Sequence, residues 1–116
     1  MNKDLEQAKA LLENNEEYTC AACRVGETFV SEEHGVRPLM RWLNKGTDLS
    51  GASAADRIVG KAAAFLYVLL GVRTVYAPLM SVPARETLRA HGIEAIADAV
   101  VPAIRNRTDT GFCPME

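Results

Sequence analysis

Between Gly51 and Gly71 the chain reads GASAADRIVGKAAAFLYVLLG, with every charge at or before Lys61 and almost nothing but apolar residues after it. A helix that is apolar on all sides is a buried one. The stretch therefore predicts a central core helix whose polar first turns, holding Ser53, Asp56, Arg57, Gly60 and Lys61, emerge at solvent. That end of the helix is where chemistry is expected.

A chain of 116 residues makes one domain, residues 1–116, able to bury roughly 65% of its unfolded surface around a single core. Its formal net charge of -2 gives no reason to expect nucleic acid or an anionic membrane as a partner. The amino-terminal segment MNKDLEQAKALLENNEE is charged throughout, which is not the pattern of a signal peptide. The apolar run from Ala62 to Val72 is well short of the ~20 residues that a membrane span needs. An odd set of cysteines, Cys20, Cys23 and Cys113, fits a reducing compartment. The expectation is a soluble, cytoplasmic protein.

Along the chain, Leu5, Ala8, Leu11 and Leu12 recur at helical spacing and predict an amphipathic first helix ending at Asn14-Asn15. Tyr18–Arg24 and Thr28–Ser31 flank Val25-Gly26-Glu27 and predict a β-hairpin. Pro38 opens, and Gly46 closes, a short helix through Trp42. After the core helix come a strand from Val72 to Ala77, a helix opened by Ser81 and Pro83, a strand from Ile93 to Ile96, and a last short helix from Ala99 to Ile104. Strands alternating with helices imply a parallel half-sheet, to which the hairpin adds an antiparallel half.

The segments SAADRIVGKAAA and IRNRTDTGFCPME, within a match covering nearly the whole chain, resemble the bacterial domain of unknown function 1893 family, whose members look like the cytidine deaminase fold. The resemblance implies an α/β protein, a three-layer α/β/α sandwich with a mixed five-stranded sheet. It brings no catalytic residues with it.

The deaminase comparison also implies what this sequence lacks. Zinc deaminases carry H-x-E at the start of one helix and P-C-x-x-C at the start of the next, supplying three ligands and a proton-shuttling glutamate. Aligned by eye, this chain offers Ser53-Ala54-Ala55-Asp56 and Pro78-Leu79-Met80-Ser81-Val82-Pro83, with Asp56 near the glutamate's place and no imidazole or thiolate. No metal ligand and no cofactor is assigned. Cys20-Ala21-Ala22-Cys23 falls in a predicted strand, where residues three apart face opposite ways, so these read as small core residues rather than a redox pair. His34 and His91 fall at loop or helix-end positions, and Trp42 reads as core.

The candidate site is the start of the core helix, where free N–H groups and the helix dipole attract phosphate or carboxylate. Ser53 caps it in this reading, and Arg57 and Lys61, four apart, share a face. Asp56, Lys61 and Cys113 are the candidate catalytic acid, cation and thiol; Ser53, Arg57, Arg105, Asn106 and Arg107 are candidate ligand contacts. The competing reading is a Ser-x-x-Asp capping box with Lys61 in an ordinary ion pair. Two functions follow: binding or transformation of a small anionic, nucleotide-like molecule without zinc, or a non-catalytic module, on a scaffold that lost its metal site, for self-association or a protein partner. A polar pocket beside Asp56 and Lys61 favours the first; a broad apolar surface patch favours the second.

Overall fold

The structure is a computed structural model that describes residues 2–104. The elements in chain order are α1 (Lys3–Asn14), β1 (Cys20–Arg24), β2 (Glu27–Ser31), α2 (Arg37–Lys45), β3 (Ser53–Asp56), β4 (Ile58–Val59), α3 (Lys61–Leu70), β5 (Thr74–Ser81), α4 (Val82–Ala90) and β6 (Glu94–Val101).

Local chemistry explains most boundaries. The Asn2 side chain caps α1 by accepting from the Leu5 N–H, and Asp4 and Glu6 lie in the first turn, where the helix dipole favours acids. The β1–β2 hairpin turns through Val25 and Gly26, both at positive φ. This is the twist that two-residue hairpins need, and the Asp4 carboxylate holds it by accepting from both N–H groups. Gly46 and Gly71 end α2 and α3 in the left-handed conformation. Ser81 caps α4 through the Ala84 N–H.

β1 pairs antiparallel with both β2 and β3, whereas β3, β4 and β6 all run parallel to β5. β3 and β4 lie on the same side of β5 in one register, Ser53 opposite Thr74 and Val59 opposite Met80. They act as one strand interrupted at Arg57. That register places Arg57 across from Pro78, which has no N–H to give the ladder. The sheet is thus mixed, with five lines of strand in the order β2, β1, β3/β4, β5, β6. Helix α1 covers one face, packing Leu5, Ala8 and Leu12 on Ala21, Cys23, Ala55 and Tyr76. Helices α2, α3 and α4 cover the other around Leu39, Trp42, Tyr67, Met80 and Leu88. This is the expected three-layer sandwich.

The structure corrects the expectations in four places. The core helix begins at Lys61, not Ser53, because residues 53–59 form the central strand. Ser53 therefore caps nothing and no Ser-x-x-Asp box exists. Helix α3 is not buried all round: Ala63, Ala64, Tyr67 and Leu70 face the core, while Phe65 and Leu69 are exposed. No helix follows Ala99, since β6 continues through Val101 beside Ser81. The strand after the core helix also runs on past Pro78 to Ser81. Among the described residues, no helix is long and apolar enough to cross a membrane.

Candidate functional site

The predicted site residues separate once β3 and β4 are recognised. Ser53 starts the central strand and Lys61 follows its end, so about 20 Å of strand lies between them at ~3.3 Å per residue. Ser53 is buried against α1, where the Asn2 side-chain amide donates to its Oγ at 2.8 Å and to Thr74 Oγ1 at 3.3 Å. Beside these groups lies an open cavity of about 540 Å³ lined by Lys3, Asp4, Arg73 and Glu94 among others. Its charges are of mixed sign.

Asp56 ends β3 and points into the core on the α3 side. Its carboxylate accepts from the Tyr67 hydroxyl at 2.8 Å and from the Arg57 N–H at 2.8 Å. Burial pushes its pKa up to about 6, although the Tyr67 hydrogen bond and the Arg57 and Ile58 N–H groups favour the charged form. Tyr67 Oη also lies 3.2 Å from Cys20 Sγ. Burial, with the nearby Asp56 charge, raises both the Tyr67 hydroxyl and the Cys20 thiol. This is a satisfied internal network that keeps a proton rather than a group poised at solvent.

Arg57 is committed elsewhere. Its guanidinium donates to the carbonyls of Leu12, Asn15 and Tyr18 at 2.8 to 3.1 Å. It thereby closes the carboxyl end of α1, where the orphan carbonyls of a helix need donors, and ties that helix to the break in the central strand. Cys20 and Cys23 are free, buried and on opposite faces of β1, as strand alternation required. His34 is exposed, and His91 ends α4 with Nδ1 2.9 Å from the Thr87 carbonyl. Arg105, Asn106, Arg107 and Cys113 lie outside the described residues.

What the structure does assemble is an edge where β4, β5 and β6 end together and α3 and α4 begin. Gly60 caps α3 without a side-chain hydrogen bond, and no acid occupies the first turn of either helix. Lys61 is the first residue of α3 and Arg85 the fourth of α4. Sequence reasoning missed Arg85, and the signal was present: a cation two residues after the N-terminal Val82-Pro83 pair, where an acid is the stabilising choice.

The family model described as domain of unknown function (DUF1893), TM1506, matches residues 7–116. The chain belongs to the DUF1893 family. A crystal structure of a DUF1893 family protein (TM1506) from Thermotoga maritima superposes with a TM-score of 0.84 at 22% identity, covering 98% of this chain and 78% of that one. The dCMP deaminase of cyanophage S-TIM5 superposes with a TM-score of 0.55 at 12% identity, over 84% of this chain and 99% of the deaminase. A diaminohydroxyphosphoribosylaminopyrimidine deaminase and 5-amino-6-(5-phosphoribosylamino)uracil reductase of Thermotoga maritima gives 0.53 at 20% identity; the match spans 69% of this chain but only 29% of that protein. No curated protein matches the chain. The shared feature is the cytidine deaminase-like fold. At the helix starts where that fold's zinc enzymes carry their ligands, this DUF1893 protein has Gly60-Lys61-Ala62 and Ser81-Val82-Pro83-Ala84. Those side chains offer zinc no imidazole or thiolate, so the donor set does not fit the metal. Among the described residues, no three His, Cys, Asp or Glu side chains form a group able to hold a metal ion.

Proposed function

We propose that this DUF1893 protein binds a small anionic molecule, of the phosphate-bearing or nucleotide-like class, at the edge where α3 and α4 begin. The supporting observation is electrostatic. Two helices of ten and nine residues direct their positive ends to one edge; α3 begins with Lys61, α4 carries Arg85 as its fourth residue, and neither has an acid in its first turn. A cation there costs a few tenths of a kcal/mol to about 1 kcal/mol that an acid would have contributed, and a bound anion reverses that sign. Lys61 and the first N–H groups of α3 are the contacts in this reading. The described chain leaves β6 at this edge, where Val101 pairs with Ser81, and Arg105, Asn106, Arg107 and Cys113, outside the described residues, are further contacts in this reading. Ser53 and Arg57 fall outside the site, and Asp56 acts on Tyr67 behind it rather than on the ligand.

The test is a thermal-shift series on the full chain with inorganic phosphate, nucleoside mono- and triphosphates, and sulfate as control. A ligand at about 100 times its Kd adds roughly 2.7 kcal/mol, or a rise of ten degrees or more in Tm for a domain this small. Lys61→Met should abolish most of that rise. If no phosphate compound raises Tm at millimolar concentration, the reading is wrong.

A second reading rests on a different observation: Phe65 and Leu69, one turn apart on α3, are 46% and 68% exposed. In this reading a second copy of the chain covers them about a twofold axis, as an isologous interface requires.

A further inference from the structure

At the sheet edge opposite the starts of α3 and α4, the first residues of three parallel strands form a polar row. Ser53 opens β3, Thr74 opens β5 and Glu94 opens β6, side by side in one register. All three point to the α1 face, because Ala55, Tyr76 and Ile96, two residues further along each strand, pack beneath that helix. A chain of hydrogen bonds joins them: the Asn2 amide donates to Ser53 Oγ at 2.8 Å and to Thr74 Oγ1 at 3.3 Å, and the Thr74 hydroxyl donates to Glu94 Oε1 at 3.4 Å. Ser53 and Thr74 are 2% and 1% exposed. Burying a hydroxyl costs free energy that an apolar side chain does not, and positions 54, 55 and 75 beside them are alanine or valine. The open cavity of about 540 Å³ lies along this row, within the range of roughly 300 to 1,000 Å³ typical of small-molecule sites.

We propose that this cavity binds a small zwitterion of the amino-acid class, its ammonium on Glu94 and its carboxylate between Lys3 and Arg73. The charged groups lining the cavity differ in what they have left to offer. Asp4 is spent, since its two carboxylate oxygens accept from the Val25 and Gly26 N–H groups. Glu94 is exposed and holds one bond from Thr74, so its carboxylate keeps acceptor capacity for an ammonium. Lys3 and Arg73 are exposed cations, and among the described residues neither is in an ion pair. A lone anion in the cavity meets the Glu94 charge and a lone amine meets two cations, whereas a molecule carrying both charges satisfies each side. The Thr74 hydroxyl, tied to Asn2, holds the Glu94 carboxylate at the cavity wall. Lys61 stands at the other end of the central strand, so this cavity fills whether or not an anion binds at the helix starts.

Isothermal titration of the full chain with each proteinogenic amino acid at millimolar concentration tests this. Any amino acid that binds is then compared with its matching amine, which lacks the carboxylate, and its matching acid, which lacks the amine. The expected result is submillimolar binding of at least one amino acid, with both single-charge analogues at least tenfold weaker. Glu94 and Arg73 are exposed, so Glu94→Gln and Arg73→Gln leave the fold intact, and each should raise Kd at least tenfold. Lys61→Met should leave Kd unchanged. Absence of binding by every amino acid would overturn the proposal, as would a single-charge analogue that binds as tightly as its parent or binding that survives both substitutions. Loss of binding in Lys61→Met would place the ligand at the helix starts and overturn it as well.

Discussion

Asp56 shows how a charged residue can stabilise a core under one condition and strain it under another. Its pKa of about 6 in the fold exceeds the ordinary 3.8, so folding favours the protonated carboxyl. The stability this confers is fully present below about pH 4 and is lost as pH rises through 6; a shift of roughly two units is worth about 3 kcal/mol. Asp56→Asn removes the titration while keeping an acceptor for the Arg57 N–H. Urea unfolding of both proteins between pH 4 and pH 7.5 should show the balance moving toward the variant by about 2 kcal/mol. A difference that stays constant across that range would mean that folding does not raise the Asp56 pKa. In the linear sequence, the Asp56-Arg57 pair reads as the wet end of a helix. Its partners, Tyr67 on one side and the carbonyls of Leu12, Asn15 and Tyr18 on the other, are 11 to 45 positions away, and no local pattern announces them.

The same distance effect operates on whole elements. The hairpin, α1, α2 and α4 are legible because caps, turns and periodicity mark their ends locally. The central strand is not, since Ser53–Asp56 is buried on both faces with alanines, and alanine favours helices wherever tertiary context is silent. Gly60, preceded by β-branched Ile58-Val59, was the available sign of a boundary. The candidate site moves with that boundary: Ser53 and Lys61 read as one turn-cluster in the sequence and stand at opposite ends of a strand in the fold. It also changes what α3 substitutions should do. Leu88 on α4 is fully buried, whereas Leu69 on α3 is 68% exposed. Leu88→Ala should therefore cost ~2 to 5 kcal/mol in urea unfolding, and Leu69→Gln less than about 0.5 kcal/mol. Sedimentation of Leu69→Gln adds a second readout, for if α3 joins two copies the variant dissociates while its fold stays intact.

For the molecule as a whole, the parallel strands and the hairpin differ in how far apart in sequence their partners lie. The unit β3/β4–α3–β5–α4–β6 pairs strands about 20 residues apart, whereas β1 meets β3 only across α2, Cys23 opposite Ser53 and Cys20 opposite Asp56. Closing the longer loop costs extra chain entropy, so the parallel unit should organise first and α1 with the hairpin should dock onto it. Stopped-flow kinetics then separate two buried leucines: Leu88→Ala slows folding, whereas Leu12→Ala mainly speeds unfolding. The reverse assignment would place the nucleus in the hairpin. The pairing of β1 with β3 has a further consequence during synthesis, which delivers the chain in the opposite order. The hairpin and α1 leave the ribosome first, and the strand that must lie between β1 and β5 follows some 30 residues later, after roughly 2 to 6 seconds of translation. For that interval the nascent chain presents an unpaired strand edge lined with cysteine and alanine, which is the kind of surface that holding chaperones shield.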